Sequence, residues 1–369
     1  MTPSREFVFQ WHVTDRCNLR CSHCYRDGTT RQADLPLEML LRIGDKLLDA
    51  AVRMKVDPIF AITGGEPTLC AALFPLLEHL RSRSTSRIRF LLMTNGVTLA
   101  RELVERLVTA APELTTIQVS LDGATPATHD SIRGPGTFHR AVGALQLLAG
   151  YPEIKRGISF TYSRANFADV AGIVSLAQEL GVDYVYVHRV VPIGAGRAHA
   201  EDYLTPQDVR RVIETLRAAR ERLDFTGASH PYIAEGLCLH HLVAPAEALR
   251  RLLGTNRPRL GNRCSVGSSS LCVASDGTLL ACRHMPIPLG DLKTQDLLEI
   301  WSSSDVLWDI RLRAARMKGK CRTCRFCAEQ PALCSGGAAC VSHALHGDYF
   351  TPDPGCWLSE GAAAHGAGA

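Results

Sequence analysis

Between Phe7 and about Arg222 short β-rich runs alternate with longer runs whose apolar positions recur every three to four residues. The β-rich runs are Phe7–Thr14, Pro58–Thr63, Ile88–Thr94, Thr116–Leu121, Gly157–Tyr162 and Tyr184–Val191. The helix-period runs are Leu37–Met54, Ala71–Arg83, Arg101–Ala111, His139–Ala149 and Phe167–Leu180, with Pro206–Arg222 after the last strand. Six successive βα units predict an α/β fold with a parallel sheet and right-handed crossovers. In such sheets chemistry gathers beyond the carboxyl ends of the strands, and the polar motifs of this chain fall there. Periodicity alone leaves open whether the sheet closes, curves or stays flat.

From about Gly261 the sequence becomes short-ranged, Gly-rich and dense in cysteine. Nine of the 14 cysteines lie between Cys264 and Cys356. A segment this poor in continuous apolar faces calls for metal staples. The expected organisation is a core over 1–225, a bridging region over 226–260, a cysteine-rich domain over 261–358 and a small-residue, disordered tail over 359–369.

Composition narrows the function class. The chain has 369 residues, 46% hydrophobic and 21% charged, with a mean hydropathy of zero, as in soluble globular proteins. No apolar run reaches the length needed to span a bilayer, and the start lacks a secretory pattern, so the expected compartment is the cytoplasm. Disulfides are rare there, and 14 cysteines therefore point to metal. The net charge of +4 carries no Lys/Arg stripe with interleaved aromatics, which argues against nucleic acid. Iron-bound thiolates would also offset that charge.

The densest chemistry is Cys17-x3-Cys21-x2-Cys24, followed by Tyr25, at the end of the first strand. Three thiolates on one loop can face a single cubane cluster while its fourth iron keeps an open position. Spacing alone also allows a zinc loop completed by His12 or His23. Cys70 and Cys238 match no cluster position and read as buried small hydrophobes.

The cysteine loop with its trailing aromatic resembles that of the radical S-adenosylmethionine (SAM) superfamily. The resemblance implies a [4Fe-4S] cluster on Cys17, Cys21 and Cys24, SAM chelated at the open iron, and reductive cleavage to a 5′-deoxyadenosyl radical. It implies a partial (β/α)6 barrel as the core fold. Further marks follow in order. Gly64-Gly65-Glu66-Pro67 resembles the segment facing the SAM amino group, and Asn95 ends the third strand. Ser120 and Asp122 end the fourth, where Ser120 is similar to the family's ribose or carboxylate contact. Arg133 would pair with the SAM carboxylate, a role that suits its guanidinium fork. Asn166 sits where the family lines the adenine side. His188 and Arg189 on the sixth strand are substrate-pocket candidates, although a lone residue at a strand end is more often structural.

Cys264, Gly277 and Cys282 resemble the opening of the SPASM extension, an auxiliary-cluster domain on many peptide-modifying radical SAM enzymes. Gly290-Asp291-Leu292 and Leu297–Trp301 resemble its linking segment. The later cysteines depart from the family: nine residues separate Cys324 from Cys334 and five separate Cys334 from Cys340. By order, the resemblance assigns Cys264, Cys272, Cys282 and Cys340 to one auxiliary cluster. Cys321, Cys324, Cys334 and Cys356 fall to the other, with Cys327 able to replace Cys334 or to serve as a free or substrate-linking thiol. A pair of zinc sites in a ribbon-like module is the structural alternative.

The implied cofactors are three [4Fe-4S] clusters and SAM. The implied reaction is oxidative modification of a peptide or protein side chain, such as a crosslink or thioether. Alternatives are a sulfatase-type formylglycine maturase, a small-molecule or tetrapyrrole maturase, and a non-enzymatic zinc-stapled binding protein. The expected partners are a reductant such as flavodoxin or ferredoxin and the peptide itself. Only six residues precede the first strand, so a separate leader-recognition protein is also expected.

Overall fold

The computed structural model describes residues 6–26, 33–222, 232–235, 264–324, 326–327 and 334–358. Cys238 and the 359–369 tail lie outside them.

Seven strands lie side by side in chain order and all parallel: β1 (Glu6–His12), β2 (Asp57–Thr63), β3 (Arg89–Thr94), β4 (Leu114–Ser120), β5 (Lys155–Tyr162), β6 (Tyr184–Arg189) and β7 (Tyr232–Glu235). The first six match the strands expected from periodicity to within a few residues. The seventh falls in the stretch read as a bridge, because four residues are too short to register a period.

The crossovers are α1 (Leu37–Met54), α2 (Leu73–Arg83), α3 (Arg101–Ala110), α4 (Pro126–Arg133), α5 (Thr137–Leu148) and α6 (Val170–Glu179), and α7 (Pro206–Arg222) follows β6. Their apolar stripes close one face of the sheet. On β1 that face holds Phe7, Phe9 and Trp11, all essentially solvent-free. The Phe9, Phe60 and Phe90 rings run across three strands at centroid spacings of 5.5 and 6.1 Å. Helix α4 had no sequence expectation, since eight residues give barely two turns. It starts at Thr125, whose Oγ1 accepts from the Thr128 amide at 3.3 Å, with Pro126 in the first turn.

The opposite face is polar at every second position. Gln118 pairs in register with Gly157, Ser120 with Ser159, and Thr161 with His188. Strand alternation sends these residues to one side while Val119, Ile158 and Val187 enter the core.

The cysteine-rich segment continues the same sheet. β8 (Ser270–Val273) pairs parallel with β1, and β9 (Thr278–Cys282) and β10 (Met285–Asp291) complete an antiparallel edge. The order is β10-β9-β8-β1-β2-β3-β4-β5-β6-β7, so among the described residues β10 and β7 are unpaired edges of a partial barrel. Leu271, Val273, Leu279 and Ala281 join the main core, so apolar packing also ties this segment to the barrel. Among the described residues four short α-helices follow, α8 (Leu297–Ser303), α9 (Asp305–Arg311), α10 (Arg313–Arg316) and α11 (Ala339–His346). Lys46 of α1 ties α8's approach to the barrel by donating to the carbonyls of Leu292 and Gln295 at 2.6 and 2.9 Å. Among the described residues no helix is long and apolar enough to cross a membrane.

Candidate active site

The polar strand face and the loops beyond the strand ends enclose a cavity of about 430 Å³, within the usual range for small-molecule sites. Cys17, Cys21 and Cys24 all line it. Their loop is held by main-chain bonds on three sides. Gly65 and Glu66 donate to the carbonyls of Thr14 and Arg16 at 2.8 Å each, Ser22 donates to Ile132 at 2.9 Å, and Gly196 donates to Cys24 at 3.0 Å. A Cβ on Gly65 would lie 2.2 Å from the Arg16 carbonyl oxygen. The paired glycines thus let β2's exit lie directly on the cysteine loop. Gly194 does the same from the other side: its φ is 58° and its Cβ would meet the Tyr25 carbonyl at 2.4 Å.

Burial raises the Cys17 thiol and pushes Cys21 up to about 11, with Arg133 opposing the rise at Cys21. Bare thiolates are therefore disfavoured, and cationic iron supplies the charge that would hold them deprotonated. Three such thiols on one loop fit a [4Fe-4S] cluster with one open iron. A zinc loop fits less well. His23, one of the two histidines that could complete it, commits Nε2 to Asp122 at 2.7 Å.

The other sequence candidates divide. Tyr25, Gly64, Gly65, Asn95, Ser120 and Arg133 line the cavity, as do His188 and Arg189. Glu66, Pro67, Asp122 and Asn166 are not among its lining. The Glu66 carboxylate is solvent-free and accepts from Thr68 Oγ1 at 2.7 Å, Thr94 Oγ1 at 2.8 Å and the Asn95 amide at 2.8 Å. Its contacts organise the turn that presents Asn95. Asp122 accepts from His23, from Arg133 Nε at 2.5 Å and from the Thr161 amide at 2.7 Å. Arg133, His23 and the amide together outweigh burial and hold its carboxyl well below the ordinary carboxylate range. Asn166 fastens the same turn, donating to the carbonyls of Asp122 and Thr161 at 2.8 and 3.0 Å. Arg133 pairs with Asp122 and not with neighbouring Asp130, and its Nη1 lies 3.8 Å from Cys21 Sγ. Arg189 is tied to buried Asp353 at 2.5 Å.

Of the later cysteines, Cys272 and Cys282 stand on adjacent strands β8 and β9, and burial drives the Cys272 thiol far above its ordinary value. Cys264 is exposed before β8, and Cys340 lies on α11. Cys321 and Cys327 are buried together against Cys324, which also packs against Cys334. Cys356 is pushed up to about 11 by burial. Asp15 couples the two cysteine regions, bound to Arg26 at 2.5 Å and to the Ser275 hydroxyl of the β8–β9 turn.

Sequence reasoning missed Arg283 and His284. They turn β9 into β10 directly after Cys282 and line the cavity; adjacency to that cysteine was the available signal. The Tyr25 ring lies 5.7 Å from both His12 and His284, and His188 lies 6.1 Å from His284. Burial, reinforced by Arg283, lowers His12 to about 3 and holds His188 and His284 well below the usual histidine range. The three imidazoles are neutral near pH 7.

Residues 11–159 match the radical SAM superfamily, and residues 264–327 match an iron–sulfur cluster-binding domain, SPASM. The AdoMet-dependent heme synthase of Methanosarcina barkeri is 30% identical over 357 residues, 95% of each chain. The mycofactocin maturase MftC of Mycobacterium tuberculosis is 29% identical over 356 residues, 94% of this chain and 81% of that one. The solved structure of anSMEcpe with bound AdoMet has the same fold, with a TM-score of 0.74 at 18% identity over 95% of this chain and 94% of that one. With these likenesses spanning both cysteine regions, the chain belongs to the radical SAM superfamily of enzymes and carries a C-terminal SPASM domain.

Proposed function

We propose that this enzyme cleaves SAM reductively at the Cys17/Cys21/Cys24 site and oxidises a peptide or protein side chain by two electrons. The observation carrying this reading is the placement of the cavity between that thiol loop and the Cys282–Arg283–His284 turn. When bound, the cluster and SAM supply a radical that takes one hydrogen atom from substrate. This chain's residues do the positioning. Arg133, braced by Asp122, sets a fixed cation beside Cys21, and Asn95 and Ser120 supply hydrogen-bonding groups at the strand ends. Cys272 and Cys282 would help hold an auxiliary iron–sulfur cluster, which would accept the second electron, and the proton released with it would leave as the new bond forms. Three clusters fit the cysteine supply, with Cys264, Cys272, Cys282 and Cys340 holding one. The second auxiliary set draws on Cys321, Cys324, Cys327, Cys334 and Cys356, among which the packing of Cys327 with Cys321 and Cys324 favours it as a ligand.

The likeness to MftC supports a peptide, in which case a leader-recognition protein and a flavodoxin- or ferredoxin-type reductant are the partners. The likeness to the heme synthase supports a second reading, a carboxylate-bearing tetrapyrrole. The test is reconstituted protein with SAM and dithionite, offered a peptide pool and, separately, iron coproporphyrin. SAM-dependent loss of two hydrogens from a peptide supports the first reading. Loss of carbon dioxide from the porphyrin alone replaces it with the second.

A further inference from the structure

Five arginines line the cavity, and their partners differ. Arg26 is paired with Asp15, Arg133 with Asp122 and Arg189 with Asp353. Arg20 spends its guanidinium on the carbonyls of Cys17 and Leu19, at 3.0 and 2.7 Å. Among the described residues Arg283 has only weak acceptors. Its Nε faces His284 Nε2 at 3.1 Å and its Nη1 faces the Met93 thioether at 3.5 Å. The guanidinium lies 5.9 Å from the Tyr25 ring, and among the described residues no carboxylate forms an ion pair with it. A guanidinium with five donors and no anion is unusual inside a cavity. A second observation points to the same place: His188 Nε2 is buried without a hydrogen-bond partner, in a ring 6.1 Å from His284. A buried polar atom left this way calls for an explanation, a bound water or ligand group among them.

We propose that Arg283, assisted by His188 Nε2, binds a carboxylate of the substrate and so decides which of its carbons is presented to the Cys17/Cys21/Cys24 loop. This rests on the reading that substrate enters this cavity, and it sharpens the substrate class to one carrying a carboxylate near the reacting carbon. Planar, two-point recognition suits the guanidinium fork, and the imidazole supplies a single further donor. The hairpin turn that carries Arg283 also carries Cys282, so an anchored substrate would sit between the two cysteine regions. A peptide carboxylate and a tetrapyrrole propionate present the same group.

The test uses reconstituted full-length protein with SAM and two probe pairs: the peptide Gly-Gly-Ala against its C-terminal amide, and coproporphyrin III against its tetramethyl ester. The parent is expected to bind the acid of at least one pair about tenfold or more tighter than its neutral twin, the scale of one charge-assisted contact. Arg283→Gln is expected to abolish that preference and Arg283→Lys to keep part of it, with iron content confirming that each variant is assembled. The pair that responds identifies the source of the carboxylate. No acid preference in either pair, or a preference that survives Arg283→Gln, overturns the proposal. Loss of SAM affinity in Arg283→Gln equal to the loss for the acid probe also overturns it, by assigning the guanidinium to SAM. Deoxyadenosine release by the parent is read separately; its absence would defeat the proposed reaction whatever the probes show.

Discussion

Arg189 Nη2 and Asp353 Oδ2 lie 2.5 Å apart, both side chains out of water, and they join the end of β6 to the loop that carries Cys356. Asp353 also accepts from the amides of Ala338 and Gly355 at 2.7 Å each. Arg189 borders the cavity, yet its charge is spent on positioning the C-terminal loop. Asp353→Ala strands a buried guanidinium together with two main-chain donors, whereas Arg189→Met leaves a carboxylate that keeps those donors. Chemical denaturation should find Asp353→Ala the costlier change, by about 3–5 kcal/mol against the parent, with a lower iron content.

Gly194 presses the 194–196 turn onto the cysteine loop. Gly194→Ala combines left-handed backbone strain of about 1–2 kcal/mol with a main-chain collision at Tyr25. Gly136 has a φ of 73° but open space where its Cβ would go, so Gly136→Ala carries the strain alone. Thermal melts should place Gly194→Ala well below Gly136→Ala, and only the former should lose iron from the barrel site.

Glu66 acts through its neighbours. In Glu66→Gln one carboxylate oxygen becomes an amide donor that must face either the Asn95 amide or the Thr68 and Thr94 hydroxyls. The mismatch should cost about 1–3 kcal/mol. SAM affinity should fall with it because Asn95 is displaced, and equilibrium binding beside a denaturation curve checks both.

Stability should fall in mild acid. His12 is lowered to about 3 and His129 to about 4, burial being the first cause of each. Between those values and the ordinary histidine value of 6.5 the unfolded chain binds protons that the folded chain excludes. Folding free energy is therefore full above about pH 6.5 and declines as pH drops towards 4, by about 1.4 kcal/mol per unit for each such histidine. Urea titrations at pH 7 and pH 5 check the sign, and replacing His129 by Gln should flatten the slope.

Strand and helix periods carried the barrel plainly into the sequence, because βα units impose regular apolar spacing on their own chain. The Cys17, Cys21 and Cys24 loop was equally legible, its thiols being close in sequence as well as in space. The roles of Glu66, Asp122 and Asn166 were not, since the partners that absorb their polar atoms come from other strand ends: Asp122 meets His23 across 99 residues. Strand β8 was hidden because its partner, β1, is some 260 residues away in the chain, so that Trp11 pairs with Val273. Arg283 and His284 were overlooked for a related reason: only the fold brings their turn beside Tyr25 and His188.

The most direct measurement is the metal and SAM chemistry of anaerobically reconstituted protein, parent beside a Cys17/Cys21/Cys24 triple alanine variant. The account predicts about twelve irons in the parent and about eight in the variant, with 5′-deoxyadenosine formed from SAM and dithionite by the parent alone. Zinc in place of iron, or deoxyadenosine formed equally by the triple variant, would contradict it.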